Sequence, residues 1–482
     1  MEEIKNKENS WRICKKCTGT GKRSKRLSKK AQLQYQVELA QFEKTNCKET
    51  PPKPPKGQLD TCLKCKGSGL IIASNFPLAD TKNYPNIAII GGGIGGVALA
   101  VACLHRGIPF TLYERDEDFN ARSQGYGLTL QQGSTAMAGL GIHSLEAGIT
   151  STRHVVHTTD GEIIGEWGIR KWGRSKEKEA PKRKNIHIAR QSLRLALLKQ
   201  LGVHSSVKWG HQFLDYKDTK SEGLALQFQV KNKLKSIHAD LIVGADGIRS
   251  TVRKQLIGEA TTPLQYLDCI VILGICPLEN LKDVESSLLD SATVFQTANG
   301  HERMYMMPYS TDAIMWQFSF PMKEKDAKFL SAKGPKALKD EACRRTQWHQ
   351  PIPQIIAATA ATQISGYPVY DRALLTAEFL EKESKGTLIG DAAHPMSPFK
   401  GQGANQALLD ALSLARAITK GCNPASNWRE TGIRKTVLNN FETEMIARSA
   451  SKVKDSRQAA HLLHSEIVLQ KGDGPRGKHR RE

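Results

Sequence analysis

Three things that this 482-residue sequence lacks narrow the classes of protein to which it can belong. It contains no apolar run of the roughly 18–20 residues that a membrane span requires. Its first residues, MEEIKNKENS, are polar and carry no apolar segment of a secretory signal peptide. Ten cysteines in so long a chain do not make a disulfide scaffold, and free thiols are typical of reducing compartments. We therefore expect a cytoplasmic protein without a transmembrane segment.

Acidic residues are scarce relative to basic ones. Lys and Arg number 70 against 48 Asp and Glu, a net charge of +22, and residues 1–80 alone hold 17 basic and 8 acidic residues. The chain also ends in the basic sequence GPRGKHRRE. A solvated basic surface accounts for this excess, and the alternative is attraction to nucleic acid, an anionic membrane or an acidic protein. A protein or RNA partner bound through the N-terminal region therefore stays an open alternative.

A repeated cysteine motif marks the N-terminal region. The pattern CxxCxGxG occurs at residues 14–21 and again, with identical spacing, at residues 62–69. Two thiolates across a two-residue turn can face one cation, and two such turns supply the four ligands of a closed structural zinc site. The alternatives are reduced thiols in a disordered tail, or a ligand set that includes Cys47. The predicted zinc ligands are Cys14, Cys17, Cys62 and Cys65.

The cysteine repeat resembles the zinc module of DnaJ-type co-chaperones. Only two of that module's four repeats are present, which implies one zinc ion. Between them, SKKAQLQYQVELAQFEK has apolar residues at helical spacing, which predicts a helix over residues 28–44 capped by Ser28. We expect residues 10–72 to form a small helical hairpin that is too small to hold together without the metal.

The most informative stretch is NIAIIGGGIGGVALAVACLHRGIPFTLYER, residues 86–115. It predicts a buried parallel strand, a glycine-rich turn, a helix and a second strand that ends at Glu114. This is the βαβ fingerprint of a dinucleotide site. Gly91 permits the turn, Gly93 lets backbone N–H groups approach a pyrophosphate, and Gly96 allows close packing. Glu114, 23 residues after Gly91, is placed to bind the adenosine ribose.

Later segments repeat the pattern of strand, turn and helix entrance. They are ADLIVGADG at residues 239–247 and GTLIGDAAHP at residues 386–395, the second continuing through GQGAN. With the fingerprint, in this order, they resemble the class A flavoprotein monooxygenases, the aromatic-hydroxylase family built on a single FAD domain. The resemblance covers roughly residues 85–450, and GYGLTLQQGS and RQSLRLALLKQL look most like the tetracycline-inactivating branch.

The resemblance implies a set of FAD-binding residues within these motifs. Asp246 would lie near the pyrophosphate and the approach of NAD(P)H, and Gly390 would let Asp391 accept a hydrogen bond from the ribityl chain. For both aspartates the alternative is an ordinary turn or N-cap role. The ADP half of FAD and its phosphates would be held by Gly91, Gly93, Gly96, Glu114, Arg115 and Arg190. The isoalloxazine would rest against Pro398, Gly401, Gly403 and Asn405.

The predicted fold class is α/β. It consists of a Rossmann-like FAD-binding domain with an inserted antiparallel-sheet substrate domain, a small N-terminal zinc module and a long C-terminal helix. Short alternating runs near residues 304–307 and 314–320 predict the inserted sheet, one face of which would cover the flavin. The candidate pocket residues are Gln191, Met306, Trp316 and Phe318, and the alternative for each is an ordinary core position.

Domain boundaries follow from the positions of these motifs. The tail that begins at Lys471 is expected to be disordered. The predicted segments are 10–72, zinc module; 73–84, linker; 85–160, first part of the FAD-binding domain; 161–238, mixed FAD and substrate segments; 239–262, FAD-binding segment; 263–380, substrate domain; 381–425, last part of the FAD-binding domain; 426–470, C-terminal helix; and 471–482, basic tail.

The resemblance implies an FAD-dependent monooxygenase that uses NAD(P)H and O2 to hydroxylate a small aromatic or polycyclic substrate through a flavin C4a-hydroperoxide. No second dinucleotide fingerprint occurs, which agrees with the transient docking of NAD(P)H in that family. Trp167 and Trp172 do not form the WxWxIP pattern of flavin halogenases. The alternatives are an FAD reductase or dehydrogenase without oxygen insertion, and a flavoenzyme that acts on a macromolecule recruited by the zinc module.

Overall fold

The computed structural model describes residues 10–25, 27–44, 52, 55, 57, 59–121, 125–172, 185–202, 206–219, 223–382 and 384–477; Cys47 and residues 478–482 lie outside these ranges. The strands are β1 (Ser10–Ile13), β2 (Lys22–Ser24), β3 (Leu59–Thr61), β4 (Leu70–Ala73), β5 (Ile87–Ile90), β6 (Phe110–Tyr113), β7 (Gly127–Leu130), β8 (Ile149–Thr150), β9 (Arg153–His157), β10 (Ile163–Trp167), β11 (Ile186–Ala189), β12 (Val207–Lys208), β13 (His211–Asp218), β14 (Leu224–Val230), β15 (Lys233–Ala239), β16 (Leu241–Gly244), β17 (Leu264–Pro277), β18 (Thr293–Ala298), β19 (Arg303–Ser310), β20 (Ala313–Pro321), β21 (Ile364–Arg372) and β22 (Gly386–Leu388). The α-helices are α1 (Lys29–Lys44), α2 (Ile94–Leu104), α3 (Ser134–Gly139), α4 (Ile169–Trp172), α5 (Arg190–Lys199), α6 (Thr251–Ile257), α7 (Glu324–Ala332), α8 (Pro335–Arg345), α9 (Ile352–Ala358), α10 (Ala377–Leu380), α11 (Gly403–Gly421), α12 (Trp428–Thr431) and α13 (Asn439–Leu462).

The N-terminal module consists of two short antiparallel ribbons and one helix. β1 pairs with β4, β2 pairs with β3, and α1 lies between β2 and β3 in the sequence. Ser28 caps α1 as predicted, because its Oγ accepts a hydrogen bond from the N–H of Ala31 at 3.2 Å. No residue of α1 is buried. The buried residues of the module are few, and the four motif cysteines form their own cluster among them.

A five-stranded parallel sheet carries the dinucleotide fingerprint. Its order is β12-β6-β5-β16-β22, so the first fingerprint strand lies in the middle. β5 is buried at all four positions, as expected of a strand covered on both faces. β16, which precedes the sequence GADG, pairs directly with β5. The turns that follow these two strands therefore lie side by side at the carboxyl edge of the sheet, where nucleotides bind in open α/β folds.

A seven-stranded sheet forms the second layer, in the order β10-β9-β18-β19-β20-β17-β21. Its strands are antiparallel to their neighbours except where β9 and β18 run parallel. One face packs against α7, α8 and α9 to form a second core. β9 belongs to this sheet, although the predicted boundary places it in the first part of the FAD-binding domain, and β10 lies in the predicted mixed segment 161–238. The predicted α/β fold with an inserted, mainly antiparallel sheet is confirmed.

The C-terminal region is helical but is not one helix over residues 426–470. α12 ends at Gly432, where a positive φ of 90° breaks the chain direction, and a single π-helical turn then leads into α13. α13 is 24 residues long and is followed by a short 3-10 helix at Glu466–Leu469. Within the described ranges, no helix combines the length and the apolar character needed to cross a membrane.

The expected disordered tail is wrong for residues 471–477. The N–H of Gly472 donates to the carbonyl of Ile164 at 2.8 Å, beside the edge strand β10. Asp473 binds Lys171 at 2.6 Å and accepts the N–H of Glu166 at 3.0 Å. The polar, glycine-rich composition of this segment is typical of disorder. Its binding partner, the edge strand β10, is present only in the folded protein.

Candidate active site

The glycines of the fingerprint have the backbone roles that the motif predicts. Gly91 has a φ of +105°, and a Cβ there would lie 2.5 Å from the carbonyl oxygen of Ala245. A Cβ on Gly96 would lie 1.9 Å from the carbonyl oxygen of Gly91. The helix can therefore approach the turn this closely only if residue 96 is glycine. Gly93 differs from both, because the nearest atom to its Cβ position is a guanidinium nitrogen of Arg190, 3.8 Å away. The first two glycines therefore shape the turn, and Gly93 leaves open space above the start of α2.

The acidic end of β6 braces this turn. Glu114 is buried, and its Oε2 accepts the N–H of Gly92 at 2.6 Å while Oε1 accepts the N–H of Asp116 at 3.0 Å. The neighbouring Arg115 is exposed. Arg190, at the start of α5, hydrogen-bonds the hydroxyl of Tyr126. The structure thus brings Glu114 and Arg190 to the same glycine turn.

Sequence reasoning missed Arg194, one helical turn after Arg190. Its side chain is buried, and its Nε donates to the carbonyl of Gly92 at 2.7 Å. Its guanidinium also lies 5.3 Å from the ring centroids of both Phe119 and Trp209. The two arginines are four residues apart in the helix, a spacing that places both side chains on one helix face and could have indicated the role of Arg194.

Asp246, in the sequence GADG, caps the next helix. Its carboxylate accepts the Ser250 hydroxyl and the N–H of Thr251, the latter at 2.8 Å. Burial raises the pKa of Asp246, and these hydrogen bonds oppose the rise. The Ser250 Oγ in turn accepts the N–H of Arg253 at 2.9 Å. The contacts are those of the N-cap alternative, and a role for Asp246 toward the pyrophosphate stays a prediction.

Replacing Ser250 by alanine tests this cap. We expect S250A to lower the free energy of unfolding by about 1 kcal/mol, because the N–H of Arg253 loses its acceptor and the Asp246 carboxylate loses one of its donors. Urea denaturation would measure the change. The matched control is S451A on the exposed side of α13, which should change stability by less than about 0.5 kcal/mol. Equal effects of the two substitutions would contradict the capping role.

Asp410, on α11, organises the turn that contains Gly390 and Asp391. It is fully buried, and its Oδ2 accepts the N–H of Gly390 at 2.8 Å and lies 2.7 Å from Nε2 of His394. Arg448 donates to its other oxygen at 2.8 Å. Burial opposes charge on His394, but the Asp410 carboxylate outweighs it and raises the pKa of the imidazole. This network holds the GDAAHP turn, leaving Asp391 exposed.

Asn405 fastens the start of α11 to the strand β7. Its Oδ1 accepts the N–H groups of Gln131 and Gly133, both at 2.8 Å. Its Nδ2 donates to the carbonyls of Thr129 and Gly401 at 2.9 and 2.8 Å. Both ends of the amide are therefore used by the backbone. Asn405 supports the wall of the site but is not among the residues that line the neighbouring cavity.

A cavity of about 820 Å³ lies between the FAD-motif segments and the second sheet. Four of the predicted cofactor residues line it, namely Asp391, Pro398, Gly401 and Gly403. Other parts of the wall come from residues 126–129, from β21 and from the face of β18, β19 and β20 that is turned away from the helices α7, α8 and α9. Pro475 and Arg476 of the C-terminal segment also line it. The volume lies within the range of 300–1,000 Å³ typical of small-molecule sites.

The predicted pocket residues on the sheet lie on its other face. Met306, Trp316 and Phe318 are fully buried in the core beneath α7, α8 and α9. Because side chains alternate along a strand, their neighbours face the cavity instead. Gln191 is not among the lining residues either. The residues of β19 and β20 that line the cavity are Arg303, Tyr305, Met307, Met315 and Gln317.

Adjacent residues of β20 test this assignment of faces. F318A should lower the free energy of unfolding by about 3–5 kcal/mol, because it empties a buried core position. Q317A should leave stability nearly unchanged and alter the affinity for an aromatic ligand, because its side chain lines the cavity. Thermal unfolding and ligand titration would separate the two effects. The opposite pattern would reverse the assignment of faces.

The sequence from residue 84 to residue 429 matches the family model described as FAD binding domain. The chain belongs to this FAD-binding family. Among its curated relatives is aurachin C monooxygenase/isomerase of Stigmatella aurantiaca, 29% identical over 371 residues that cover 75% of this chain and 88% of that protein. The family and its curated relatives are FAD-dependent monooxygenases. The predicted enzyme class, an FAD-dependent monooxygenase, is therefore confirmed.

Solved structures show the same fold in other proteins. Klebsiella pneumoniae HpxO, complexed with FAD and uric acid, has a TM-score of 0.64 at 20% identity, covering 81% of this chain and 92% of that chain. Tetracycline destructase Tet(51) has a TM-score of 0.56 at 17% identity, covering 80% of this chain and 94% of that chain. These likenesses establish the fold and do not single out the tetracycline-inactivating branch.

The described residues of this FAD-binding protein suit the cofactor. The positive end of α2 faces the open space at Gly93, and Arg190 borders that space, as a pyrophosphate requires. A Cβ on Gly401 would meet no atom closer than 4.0 Å, so that loop also leaves room beside the cavity. Both openings lie at segments that the family motif assigns to FAD.

The FAD-binding domain carries the cysteine module on α11. Arg416, in the C-terminal half of α11, donates to the carbonyl of Gly19 at 3.1 Å and to that of Ser68 at 3.3 Å. It therefore contacts both cysteine turns. Trp11 packs against Gly141, where a Cβ would lie 2.7 Å from the indole ring. The first residues of α11 line the cavity, so one helix bears both sites.

The two cysteine turns are near copies of each other around a common centre. The ligand atoms of the four cysteines lie within 4.8 Å of one another. The sulfurs of Cys14 and Cys62 are 4.0 Å apart, and those of Cys17 and Cys65 are 3.6 Å apart. The N–H groups of Gly21 and Gly69 each reach a cysteine sulfur at 3.3 Å. The four thiols are thus arranged to share one ion.

Proposed function

We propose that this protein is an NAD(P)H-using FAD monooxygenase that hydroxylates a small aromatic or polycyclic compound. The observation that carries the proposal is the single cavity whose walls combine the FAD-motif residues Asp391, Pro398 and Gly401 with the inner face of the second sheet. A cofactor ring beside the motif residues and a substrate beside the sheet would then share one enclosed space. FAD, when bound, would supply the redox chemistry that activates oxygen.

Specific residues would hold the cofactor. The backbone at Gly93 and the guanidinium of Arg190 would receive the pyrophosphate. Glu114 would accept the ribose hydroxyls, and Asp391 would accept a hydrogen bond from the ribityl chain. Backbone N–H groups near Pro398 and Gly403 would stabilise negative charge on the reduced ring.

The sheet would position the substrate and keep water away. Tyr305, Met307 and Met315 provide aromatic and sulfur-containing surface, which suits a flat apolar molecule. Pro475 and Arg476, held at the edge strand β10, also line the cavity. Exclusion of water protects reactive intermediates, and a fixed substrate orientation raises the rate of transfer.

The visible spectrum of the purified protein, followed by NADPH oxidation under oxygen, tests the proposal. We expect flavin absorption and NADPH oxidation that rises when a substrate phenol is added. NADH in a parallel assay would decide between the two nucleotides. Bound flavin that is reduced without oxygen uptake would favour the reductase or dehydrogenase. A colourless protein that does not take up added FAD would overturn the proposal.

We also propose that Cys14, Cys17, Cys62 and Cys65 bind one structural Zn²⁺. A tetrahedral ion with Zn–S bonds of 2.3 Å places its sulfurs about 3.8 Å apart, close to the separations of 3.6 and 4.0 Å seen here. The set is closed because all four ligands are protein thiols. A role for the module in recruiting a protein or RNA stays a prediction, since its described contacts are with α11 and nearby residues of the FAD-binding domain.

A further inference from the structure

The cysteine module contacts one end of α11, and the other end of this helix belongs to the candidate active site. Arg416, in the C-terminal half of α11, donates to the carbonyls of Gly19 and Ser68, one in each cysteine turn. The first residues of the helix, Gly403 and Ala404, line the cavity. These two ends lie about 20 Å apart along the helix axis. One rigid element therefore joins the module to the cavity wall.

A second helix, α3, makes the same connection. It begins shortly after Gln132, which lines the cavity, and ends at Gly139. A Cβ on Gly139 would lie 3.3 Å from the carbonyl oxygen of Ser68 and 2.6 Å from a side-chain carbon of Leu412 on α11. The second cysteine turn, α3 and α11 therefore meet at a point where only glycine fits. Asn405 ties the opposite ends of the two helices together.

Trp11, on β1 of the module, extends this contact to α5. Its indole is buried, and its ring centroid lies 5.0 Å from that of His143, in the segment after α3. A Cβ on Gly141 would lie 2.7 Å from the indole and 3.1 Å from Oε1 of Gln200, where α5 ends. The same helix begins at Arg190, beside the proposed position of the pyrophosphate. Three helices thus have one end at the module and the other at the proposed FAD site.

The metal would decide whether this packing exists. The four cysteines form the module's own buried cluster, and no residue of α1 is buried. So small a module is stable only with its metal. The proposed ion with its four thiolates carries a net negative charge, which attracts the guanidinium of Arg416 beside both turns. Within the described part of the chain, Arg416 has no carboxylate at ion-pair distance. Loss of zinc would therefore loosen α3, α5 and α11 together.

We propose that zinc in the cysteine module sets the affinity of the protein for FAD, because the zinc-loaded module holds α3, α5 and α11 in the arrangement that receives the cofactor. This inference rests on the proposed zinc and FAD sites and specifies how the second is regulated. In one state the module is folded against the three helices, and in the other it is unfolded and released. Because linkage is reciprocal, bound FAD raises the affinity for zinc by the same factor.

The test measures FAD affinity of the full-length protein in three conditions. They are the zinc-loaded protein, the same protein after EDTA has removed zinc and has itself been dialysed away, and the protein after Zn²⁺ is added back. Equilibrium dialysis gives the dissociation constant, and circular dichroism verifies that the FAD-binding domain stays folded. We expect the dissociation constant for FAD to rise about 5- to 20-fold without zinc and to return to its first value with zinc. Competition with a chromophoric chelator should show that FAD raises zinc affinity by the same factor.

A substitution at Arg416 locates the connection. R416M leaves all four cysteines in place and should keep one zinc ion per chain, but zinc removal should raise its dissociation constant for FAD by only about 2- to 3-fold. The matched control K420M, at an exposed position of the same helix, should respond like the unaltered protein.

Three results would overturn the proposal. They are equal FAD affinity with and without zinc, zinc affinity that does not change with FAD, and a full response to zinc in R416M. Flavin content and zinc content of the unaltered protein, measured separately, report whether the proposed function or the proposed zinc site itself fails. A protein that binds FAD and zinc independently of each other would contradict this inference alone.

Discussion

Replacing Gly93 by valine should abolish FAD binding in a protein that still folds. The residue has a φ of −72°, which any amino acid adopts, and the nearest atom to its Cβ position is 3.8 Å away. The fold therefore tolerates a side chain there, although valine at the start of a helix is less favourable than glycine by about 1 kcal/mol. The same side chain would occupy the space that a pyrophosphate needs above α2.

The expected size of this effect is large. We expect the dissociation constant for FAD to rise about 100-fold or more, which corresponds to about 2.8 kcal/mol. Equilibrium dialysis with absorbance detection would measure it, and circular dichroism would verify folding. G474V is the matched control, since no atom lies within 4 Å of a Cβ at Gly474, outside the family match. Unchanged FAD affinity in G93V would contradict the placement of the pyrophosphate.

Loss of one cysteine from the N-terminal cluster should release the metal and unfold the module. The four cysteines are the centre of its small buried core, and little other apolar surface is available to hold the two turns together. Structural zinc contributes about 10–16 kcal/mol in comparable small domains. We expect C17S and C65S to retain less than about a tenth of the zinc of the unaltered protein, measured by inductively coupled plasma mass spectrometry.

A cysteine outside the cluster supplies the control. Cys343 on α8 is free and partly exposed, and C343S should keep one zinc ion per chain. Limited proteolysis should cut residues 10–72 in C17S and leave them intact in C343S. An unaltered protein that contains no zinc when purified without chelators, or a C17S protein with full zinc content, would contradict the proposed site.

The sequence predicted the parts of the site that depend on backbone geometry. Where a close backbone approach leaves room only for glycine, the sequence itself shows the constraint, as at Gly91 and Gly96 beside Ala245. The cysteine turns were also predictable from the sequence, because metal ligands require a fixed spacing. Such local constraints involve few neighbours and can be recognised without knowledge of the rest of the fold.

The face of the second sheet could not be predicted in the same way. β19 and β20 are buried on both faces, one against the helices and the other toward the cavity. Gln317, between Trp316 and Phe318, is a polar mark of the cavity face of β20, but on β19 the neighbours Met306 and Met307 are equivalent candidates. The helices that cover Met306 come from residues 324–358, and only the tertiary structure shows which side they occupy.

Partners distant in sequence explain the remaining omissions. Asp410 supports the turn at Gly390 across 20 residues, and Arg448 reaches it from another helix. The C-terminal segment finds its place beside Ile164, about 300 residues earlier in the chain. Such relations between distant residues are not visible in a linear motif.

The incorporation of oxygen from O2 into product tests the central claim most directly. The protein would be incubated with NADPH, an aromatic compound that stimulates NADPH oxidation, and gas enriched in oxygen-18. If the shared cavity serves a monooxygenase, mass spectrometry will show one oxygen-18 atom in each molecule of hydroxylated product. A product that forms at the same rate without O2, or that takes its new oxygen from water, would contradict the account.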